Sequence, residues 1–387
     1  MNDPLKPYRK RLRAWKNKFR LRRELGRYER AFKDRGLAIP DDAAIRAALR
    51  DRFPALRPKP KGALRILAIY HHYNWEDHAL KPALQKFGEV CHYDWFGEFN
   101  HTRRDWQTAV KAEMNRDLVA RVGRWVAEER PDVIFTYLSG ELVSPECVRA
   151  LRAFGVPMIH FCLNDKEHFV GRIRGGLAFG SRDICRFFDL AWTSTGEALK
   201  KYCVEEAMPL YLPEGANPEI HKPWDLEKTI DVSFVGQCYG NRPVVIRRLR
   251  EAGIRVETFG SGWPGGPLST EEMVRVYSRS RINLGFGGVA SHEGTYCLKG
   301  RDFEIPMSGG LYLTESHPEL ERVYDLEKEI VVYRGFDDLT AKIRHLLADP
   351  QRAEAIRQAG LRRARKEHTW EMRFERVFSL MNLIGVR

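Results

Sequence analysis

The chain has 387 residues, of which 43% are hydrophobic and 30% charged, a composition that excludes disordered, collagen-like and coiled-coil proteins. This length exceeds one ordinary hydrophobic core and predicts about two domains. Residues 1–36 hold 14 Lys and Arg against four acidic residues, so +10 of the net charge of +13 lies in an N-terminal arm, which argues against a body that reads nucleic acid.

The chain contains no apolar run of the roughly 18 residues that a spanning helix needs, and none of signal-peptide length near its start. Its seven cysteines are widely spaced and include no C-x-x-C pair. Reduced thiols fit this pattern better than disulfides or a structural zinc site. We therefore expect a cytoplasmic protein.

The arm is predicted to be a helix, because apolar residues recur in it at spacings of three and four. One stripe consists of Tyr8, Leu12, Trp15 and Phe19, and a second of Leu21, Leu25, Tyr28 and Phe32. Such stripes either pack on the protein's own body or, on a helix this basic, lie on an anionic surface at the inner face of a membrane. The segment FPALRPKPK then predicts a linker, so residues 1–60 form an arm and linker.

A series of short apolar segments follows the linker, with helix-length stretches between several of them. The segments span residues 64–70, 89–95, 132–138, 157–163, 189–194 and 209–213. Strands that alternate with helices predict a parallel, doubly wound sheet. Residues 61–220 are thus predicted to form a Rossmann-like acceptor domain.

A second series of strand segments follows, again with helical stretches between them. Its segments span residues 231–236, 254–260, 281–286, 310–315 and 329–335. We predict a second Rossmann-like domain over residues 221–368, and a closing helix in 369–387 that crosses back onto the first domain. The expected fold is α/β, with two domains facing a cleft where ligands lie at the carboxyl ends of the strands.

Five motifs of the second half occur in one order: SFVGQCYGNR, VETFGSGW, YSRSRINLGF, KGRDFEIPMSGGLYLTE and HTWEMRFERV. In this order and spacing they resemble the GT-B glycosyltransferases of group 1, most closely the branch that is similar to the spore maturation protein CgeB. The resemblance covers residues 230–380 and, more weakly, 130–220. It implies that the second domain holds a nucleotide-diphosphate sugar and that the first holds an acceptor.

Glu304 is the leading candidate site residue. In RDFEIPMSGG it matches the glutamate of the group's E-x-x-x-x-G pattern, which implies that its carboxylate accepts hydrogen bonds from both ribose hydroxyls of the donor. The alternative is an ordinary helix carboxylate paired with Arg301 or Lys299. The family often has an acidic partner eight positions earlier, but this sequence has Tyr296 there, and Glu293 is the nearest carboxylate.

Other candidates for donor binding lie in glycine-rich loops, which let backbone N–H groups and cationic side chains approach phosphates. They are Gly236, Arg242, Trp263, Ser291, Gly294, Thr295, Lys299 and Arg301. The segment GGVASHEGTY is expected to lead directly into the N-terminus of the helix that carries Glu304. The alternatives to donor binding are that each loop is a simple turn, that each cation is a surface residue and that Trp263 is an aromatic residue of the core.

On the acceptor side, the loop HHYNWEDH follows the first strand. We expect His71 or His72 to act there as a base, with Asp165 as the alternative carboxylate for acceptor activation or sugar contact. A metal site in this loop is less favoured. No Asp-x-Asp pair occurs in the sequence, so we expect catalysis without a divalent metal and without a bound cofactor.

Together these features predict a glycosyltransferase that uses a nucleotide-sugar donor and a glycan, lipid-linked or protein acceptor, as in the biosynthesis of cell-surface glycans. Two alternatives stay open. One is a sugar-nucleotide epimerase of the same fold, and the other is a non-catalytic adaptor that acts through its basic arm.

Overall fold

The computed structural model describes residues 6–73, 75–289 and 292–385. The chain forms two compact units. The N-terminal unit contains Leu21–Pro213 and the segment that begins at Glu371. The C-terminal unit contains Glu214–Trp370 and the described residues up to Arg20. The helical arm thus contributes to both units.

The N-terminal unit is built on a parallel sheet with the strand order β2-β1-β3-β4-β7-β8. Its strands are β1 (Leu64–Ile69), β2 (Gly88–Tyr93), β3 (Val133–Thr136), β4 (Met158–Cys162), β7 (Leu190–Thr193) and β8 (Pro209–Tyr211), with a small hairpin of β5 (Ile173–Arg174) and β6 (Leu177–Ala178). The chain's first helices are α1 (Lys6–Asp34), α2 (Asp42–Arg52), α3 (Glu76–Gln85), α4 (Lys111–Glu128), α5 (Pro145–Ala153), α6 (Asp165–His168) and α7 (Ala198–Val204). All six strand segments predicted for this half are strands.

The C-terminal unit repeats this design with the parallel order β10-β9-β11-β14-β15. Its sheet strands are β9 (Ile230–Val235), β10 (Val256–Phe259), β11 (Ser280–Leu284), β14 (Tyr312–Glu315) and β15 (Val331–Tyr333), with a hairpin of β12 (Gly288–Val289) and β13 (His292–Tyr296). The helices are α8 (Arg242–Glu251), α9 (Thr270–Arg279), α10 (Gly300–Met307), α11 (Phe336–Ala348) and α12 (Pro350–Glu367), and α13 (Trp370–Leu380) follows. Both units are therefore Rossmann-like, as predicted.

The proline-rich segment is attached to the N-terminal unit rather than spanning open space as a linker. The backbone N–H of Lys59 donates to the carbonyl of Leu383 over 2.9 Å, and its ammonium group donates to Asp132 over 2.8 Å. Helix α2, which precedes this segment, was not predicted. Asp41 caps it by accepting a hydrogen bond from the N–H of Ala44.

Helix α1 presents its two aromatic stripes in different environments. Tyr28 is 4% exposed and donates to Glu205, and Glu24 accepts from Lys201 over 2.8 Å, so the second stripe packs on the N-terminal unit. Trp15 and Phe19 are 61% and 60% exposed and stack on each other. The side chains of Tyr8 and Leu12 lie outside the described residues. Among the described helices, none is both long and apolar enough to cross a membrane.

Candidate functional site

The carboxyl end of strand β9 forms the first part of the candidate donor site. Gly236 follows this strand with a φ of 151°, in the range that favours glycine. A Cβ atom at this position would lie 2.7 Å from Nη2 of Arg301. Glycine therefore lets the guanidinium group of Arg301 approach the loop.

Trp263 supports this loop from the neighbouring strand connection. Its indole N–H donates to the carbonyl of Gly236 over 2.8 Å, and its ring meets Phe234 edge-on at 6.0 Å. The side chain is partly buried against the core of the C-terminal unit. The hydrogen bond of its indole thus holds the backbone of the loop in place.

Arg242 opens helix α8 and is buried, with 3% of its surface exposed. Its Nη1 donates to the carbonyl of Gln237 over 3.0 Å, and its guanidinium carbon lies 3.9 Å from the ring centre of Tyr239. Burial, together with the positive charge of nearby Arg301, lowers the pKa of Arg242 to about 10. The alternative of a surface arginine is therefore wrong.

Lys299 and Arg301 bring two more cations to the same region. Lys299 donates to the carbonyls of Phe286 and Gly288 over 3.1 and 2.8 Å, and burial lowers its pKa. Nη1 of Arg301 is enclosed and, within the described part of the chain, has no hydrogen-bond partner. We call Arg242, Lys299 and Arg301 the cationic cluster.

The charge of the cationic cluster is not neutralised by ion pairs. Among the described residues, no carboxylate lies within salt-bridge distance of any of the three cations, although the negative charge of Asp302 acts on Lys299 and Arg301. Buried cations without a close counter-ion cost several kcal/mol. An anion with several oxygens, such as a diphosphate, would both neutralise the cluster and accept from the unpaired guanidinium N–H.

Glu304 lies on α10, one turn after the cationic residues that begin the helix. Its side chain is 18% exposed, and its Oε1 is 3.8 Å from Nε2 of His221. The alternative pairing with Arg301 or Lys299 does not occur among the described ion pairs. His221 was not among the predicted site residues, although it lies in PEGANPEIH, a polar segment with Gly and Pro that precedes the second half.

The described residues of the segment GGVASHEGTY form strands β12 and β13 instead of the start of a helix. Gly294 is exposed with a φ of +68°, and Thr295 lies within β13. Helix α10 begins only after Lys299, whose backbone N–H already donates to Asp302 over 2.7 Å. The expectation that this segment leads directly into the helix is therefore wrong, whereas phosphate binding by Gly294 and Thr295 stays a prediction. Ser291 and the side chain of Glu293 lie outside the described residues.

The candidate base His71 follows β1 in the N-terminal unit. Its Nδ1 is 2.9 Å from both carboxylate oxygens of Asp94, and its ring stacks on Phe96 at 4.3 Å. Burial opposes ionisation of Asp94, but hydrogen bonds from the Phe96 N–H and from His71 outweigh it and lower its pKa. An ionised Asp94 holds the proton on Nδ1, which leaves the lone pair of Nε2 as a base. Sequence reasoning missed Asp94.

The rest of the HHYNWEDH loop caps helix α3. Nδ1 of His72 accepts from the N–H of Asp77 over 3.3 Å. The buried carboxylate of Glu76 accepts from the N–H groups of Tyr73 and Trp75. These contacts favour His71 over His72 as the base. Across the described ranges, which exclude residue 74, no three His, Cys, Asp or Glu side chains are grouped to hold a metal ion.

Asp165 is fully buried, and its carboxylate is hydrogen-bonded to other side chains. It accepts from Ser181 over 2.9 Å and from Tyr202 over 2.8 Å, with His160 bonded to the same serine. Both of its oxygens are thus engaged by side chains of the N-terminal unit. The expectation that Asp165 faces an acceptor is therefore wrong, because the polar residue after this strand turns inward.

The second half of the chain matches a known family. Residues 242–379 match a family described as glycosyl transferase-like. The matched range includes the cationic cluster and Glu304. No curated protein sequence matches the chain.

Several solved structures are similar to this chain at low sequence identity. Sucrose-phosphate synthase from Thermosynechococcus elongatus has a TM-score of 0.58 and 10% identity, over 82% of this chain and 98% of that one. HepE from Anabaena, solved with UDP and glucose, has a TM-score of 0.54 and 9% identity, over 82% of this chain and 100% of that one. A glycosyltransferase from Rickettsia africae has a TM-score of 0.58 and 10% identity, over 82% and 98%.

At these identities the structural likeness establishes the fold. The chain has the GT-B fold of two Rossmann-like units, and its residues 242–379 are similar to the glycosyl transferase-like family.

Proposed function

We propose that the protein transfers a sugar from a nucleotide-diphosphate sugar to a glycan, lipid-linked or protein acceptor, within the CgeB-like branch of group 1. The cationic cluster carries this proposal, because its enclosed guanidinium N–H lacks a partner in the described part of the chain. A diphosphate supplies that partner. Since HepE was solved with UDP and glucose, UDP is the first nucleotide to test.

In the proposed reaction, the bond between the anomeric carbon and the diphosphate oxygen breaks. A bond forms from the anomeric carbon to the acceptor oxygen, and the nucleoside diphosphate leaves. The cationic cluster stabilises the charge of the leaving group, and Glu304 holds its ribose. Nε2 of His71 takes the proton of the acceptor hydroxyl, because Nδ1 is bonded to Asp94.

Release of nucleoside diphosphate tests this function. It is measured with donor alone and with fractions of a cell extract, and the products are examined for a mass increase of one sugar. We expect release to depend on an acceptor. Conversion of the donor without any acceptor would identify an epimerase instead, and no turnover with any donor would favour a non-catalytic adaptor.

We also propose that transfer needs no divalent metal and no further cofactor. The three neighbouring cations of the cationic cluster supply the positive charge that a metal would otherwise bring to the departing diphosphate.

The basic arm is proposed to attach this cytoplasmic enzyme to an anionic membrane surface. Trp15 and Phe19 are exposed on α1, and Lys16, Arg22 and Arg23 are exposed near them. Tyr28 lies roughly on the opposite side of the helix, at about 100° per residue, and is buried. Aromatic rings flanked by cations suit the interface of an anionic bilayer.

A further inference from the structure

A cavity of about 420 Å³ opens at the carboxyl edge of the C-terminal sheet. Strands β14 and β15 both end at it, with Glu315 and Tyr333 as their last residues. Amide, hydroxyl and carboxyl groups line the cavity next to aromatic rings, and they belong to Asn241, Tyr296, Glu315, Ser316, Tyr333 and Phe336. The volume is typical of a small-molecule site, and this lining suits a ligand with several hydroxyl groups on a ring.

Glu315 is the acidic residue of this cavity, and the backbone of β12 holds its side chain in place. Its Oε2 accepts a hydrogen bond from the N–H of Gly288 over 3.0 Å. Within the described part of the chain, no hydrogen bond reaches its Oε1. One carboxyl oxygen of Glu315 is therefore fixed, and the other can accept a hydrogen bond from a ligand.

The cavity adjoins the cationic cluster on two sides. Lys299 donates to the carbonyl of Gly288, the same residue whose N–H donates to Glu315. Asn241, which lines the cavity, directly precedes Arg242, and Glu315 interacts electrostatically with Arg242. An anionic ligand bound to the cationic cluster can therefore extend into this cavity.

Glu304 lies beyond Arg301, at the other end of the cationic cluster. The guanidinium carbons of Arg242 and Arg301 are both 5.3 Å from the ring centre of Phe234, so the two cations are neighbours. Glu304 and Arg301 both interact electrostatically with the hydroxyl group of Tyr277. These contacts give the order Glu304, Arg301, Arg242 and Glu315. In a nucleotide sugar, the corresponding order is ribose, diphosphate and sugar.

We propose that this cavity holds the sugar of the donor, and that Glu315 determines which sugar is accepted because its Oε1 accepts a hydrogen bond from a sugar hydroxyl. This inference rests on the proposed function. It sets the ribose at Glu304, the diphosphate at the cationic cluster and the sugar at Glu315. The carboxyl group for the sugar then comes from strand β14, in a chain that has Tyr296 where the family often has an acidic residue.

The test compares UDP with UDP-glucose, UDP-galactose and UDP-N-acetylglucosamine by calorimetry. Glu315→Gln keeps an oxygen for the N–H of Gly288 and turns an amide NH₂ group towards the cavity, so a donor replaces the proposed acceptor. The ratio of UDP-sugar affinity to UDP affinity isolates the sugar, because any effect on the shared diphosphate cancels. For the UDP-sugar that the wild type binds most tightly, we expect this ratio to fall about tenfold.

Glu321→Gln is the matched control, because Glu321 is an exposed carboxyl residue of the same unit outside the cavity lining. Its ratios should equal those of the wild type. Unchanged ratios for all three UDP-sugars in Glu315→Gln would overturn the inference. The proposed function fails in a different way, namely if Arg242→Ala leaves the affinity for UDP itself unchanged.

A second variant decides the question if Glu315→Gln does not fold. Ser316 is half-buried and lines the cavity, so Ser316→Trp places an indole ring in the space proposed for the sugar. Binding of UDP should persist in this variant, while the ratio for the preferred UDP-sugar should fall. Wild-type ratios in a folded Ser316→Trp would overturn the inference.

Discussion

The carboxyl edges of the two sheets have the same architecture, but the charged groups are paired at one edge and not at the other among the described residues. At the edge of the N-terminal unit, His71 and Asp94 satisfy each other. At the edge of the C-terminal unit, Arg242 and Arg301 are held near each other, and a guanidinium N–H is left without a partner among the described residues. A satisfied histidine–carboxylate pair suits proton transfer, whereas unneutralised cations suit anion binding.

The scaffold places groups at the edge of a sheet but does not determine their chemistry. Both edges follow from short loops after parallel strands, and the residue types in these loops decide what each can bind. Substitutions in one unit should therefore affect one step of the reaction and leave the other step intact.

The largest effect is expected from His71→Gln. Loss of a general base should reduce kcat/KM by about 10²- to 10⁴-fold, while UDP affinity stays at the wild-type value because the change lies in the N-terminal unit. Steady-state rates and calorimetry check the two quantities. Asp94→Asn should lower kcat less and alter its pH profile, since only the orientation of His71 is lost.

His78→Gln provides the matched control, because His78 is an exposed histidine at the end of the same HHYNWEDH segment. Its rate should equal that of the wild type. Full activity of His71→Gln would instead contradict the assignment of His71 as the base, and the two edges would then no longer be shown to differ in function.

Arg242→Ala is expected to have the next largest effect, on donor binding. A charge-assisted hydrogen bond is worth about 1.5–3 kcal/mol, so UDP affinity should fall roughly 10- to 150-fold. Removal of a buried cation also relieves repulsion with Arg301, so the free protein should not lose thermal stability. Calorimetry and thermal melts measure these two responses.

Arg247→Ala is the control for this change. Arg247 lies on the same helix, is exposed and pairs with Glu251. Exposed pairs of this kind contribute little, so both affinity and stability should be unchanged. Equal UDP affinity in wild type and Arg242→Ala would contradict the donor site.

Smaller effects are expected in the arm, where exposed and buried aromatic side chains of helix α1 can be compared. Replacing both Trp15 and Phe19 by Ser should weaken binding to phosphatidylglycerol vesicles at low salt about tenfold or more, since a buried aromatic contributes about 1.5–3 kcal/mol. The melting temperature should not change, because both rings are exposed. Cosedimentation and thermal melts measure the two effects.

Tyr28→Ala should show the reverse pattern. Tyr28 is buried and hydrogen-bonded to Glu205, so its loss should lower the melting temperature and leave vesicle binding intact. Wild-type protein that ignores anionic vesicles at low salt would contradict membrane attachment. Removal of residues 1–36 does not separate these cases, because it deletes both stripes at once.

The sheets could be predicted from sequence because buried parallel strands read as continuous apolar runs. The pairing between His71 and Asp94 could not, since it depends on which strands are neighbours. Asp165 was misjudged because the alternation of a strand does not say whether the polar residue after it faces solvent or core.

The smallest expected effect is that of metal chelation, and it tests whether the cations of the C-terminal edge suffice for the reaction. Three cationic side chains are available to stabilise the departing diphosphate, so activity in excess EDTA should stay within about twofold of the untreated enzyme. The measurement is acceptor-dependent release of nucleoside diphosphate, with and without added Mn²⁺ or Mg²⁺. Complete loss in EDTA that either metal restores would contradict metal independence. In that case the Arg242→Ala variant would retain most of its activity at saturating metal, because the ion would supply the charge now attributed to the cationic cluster.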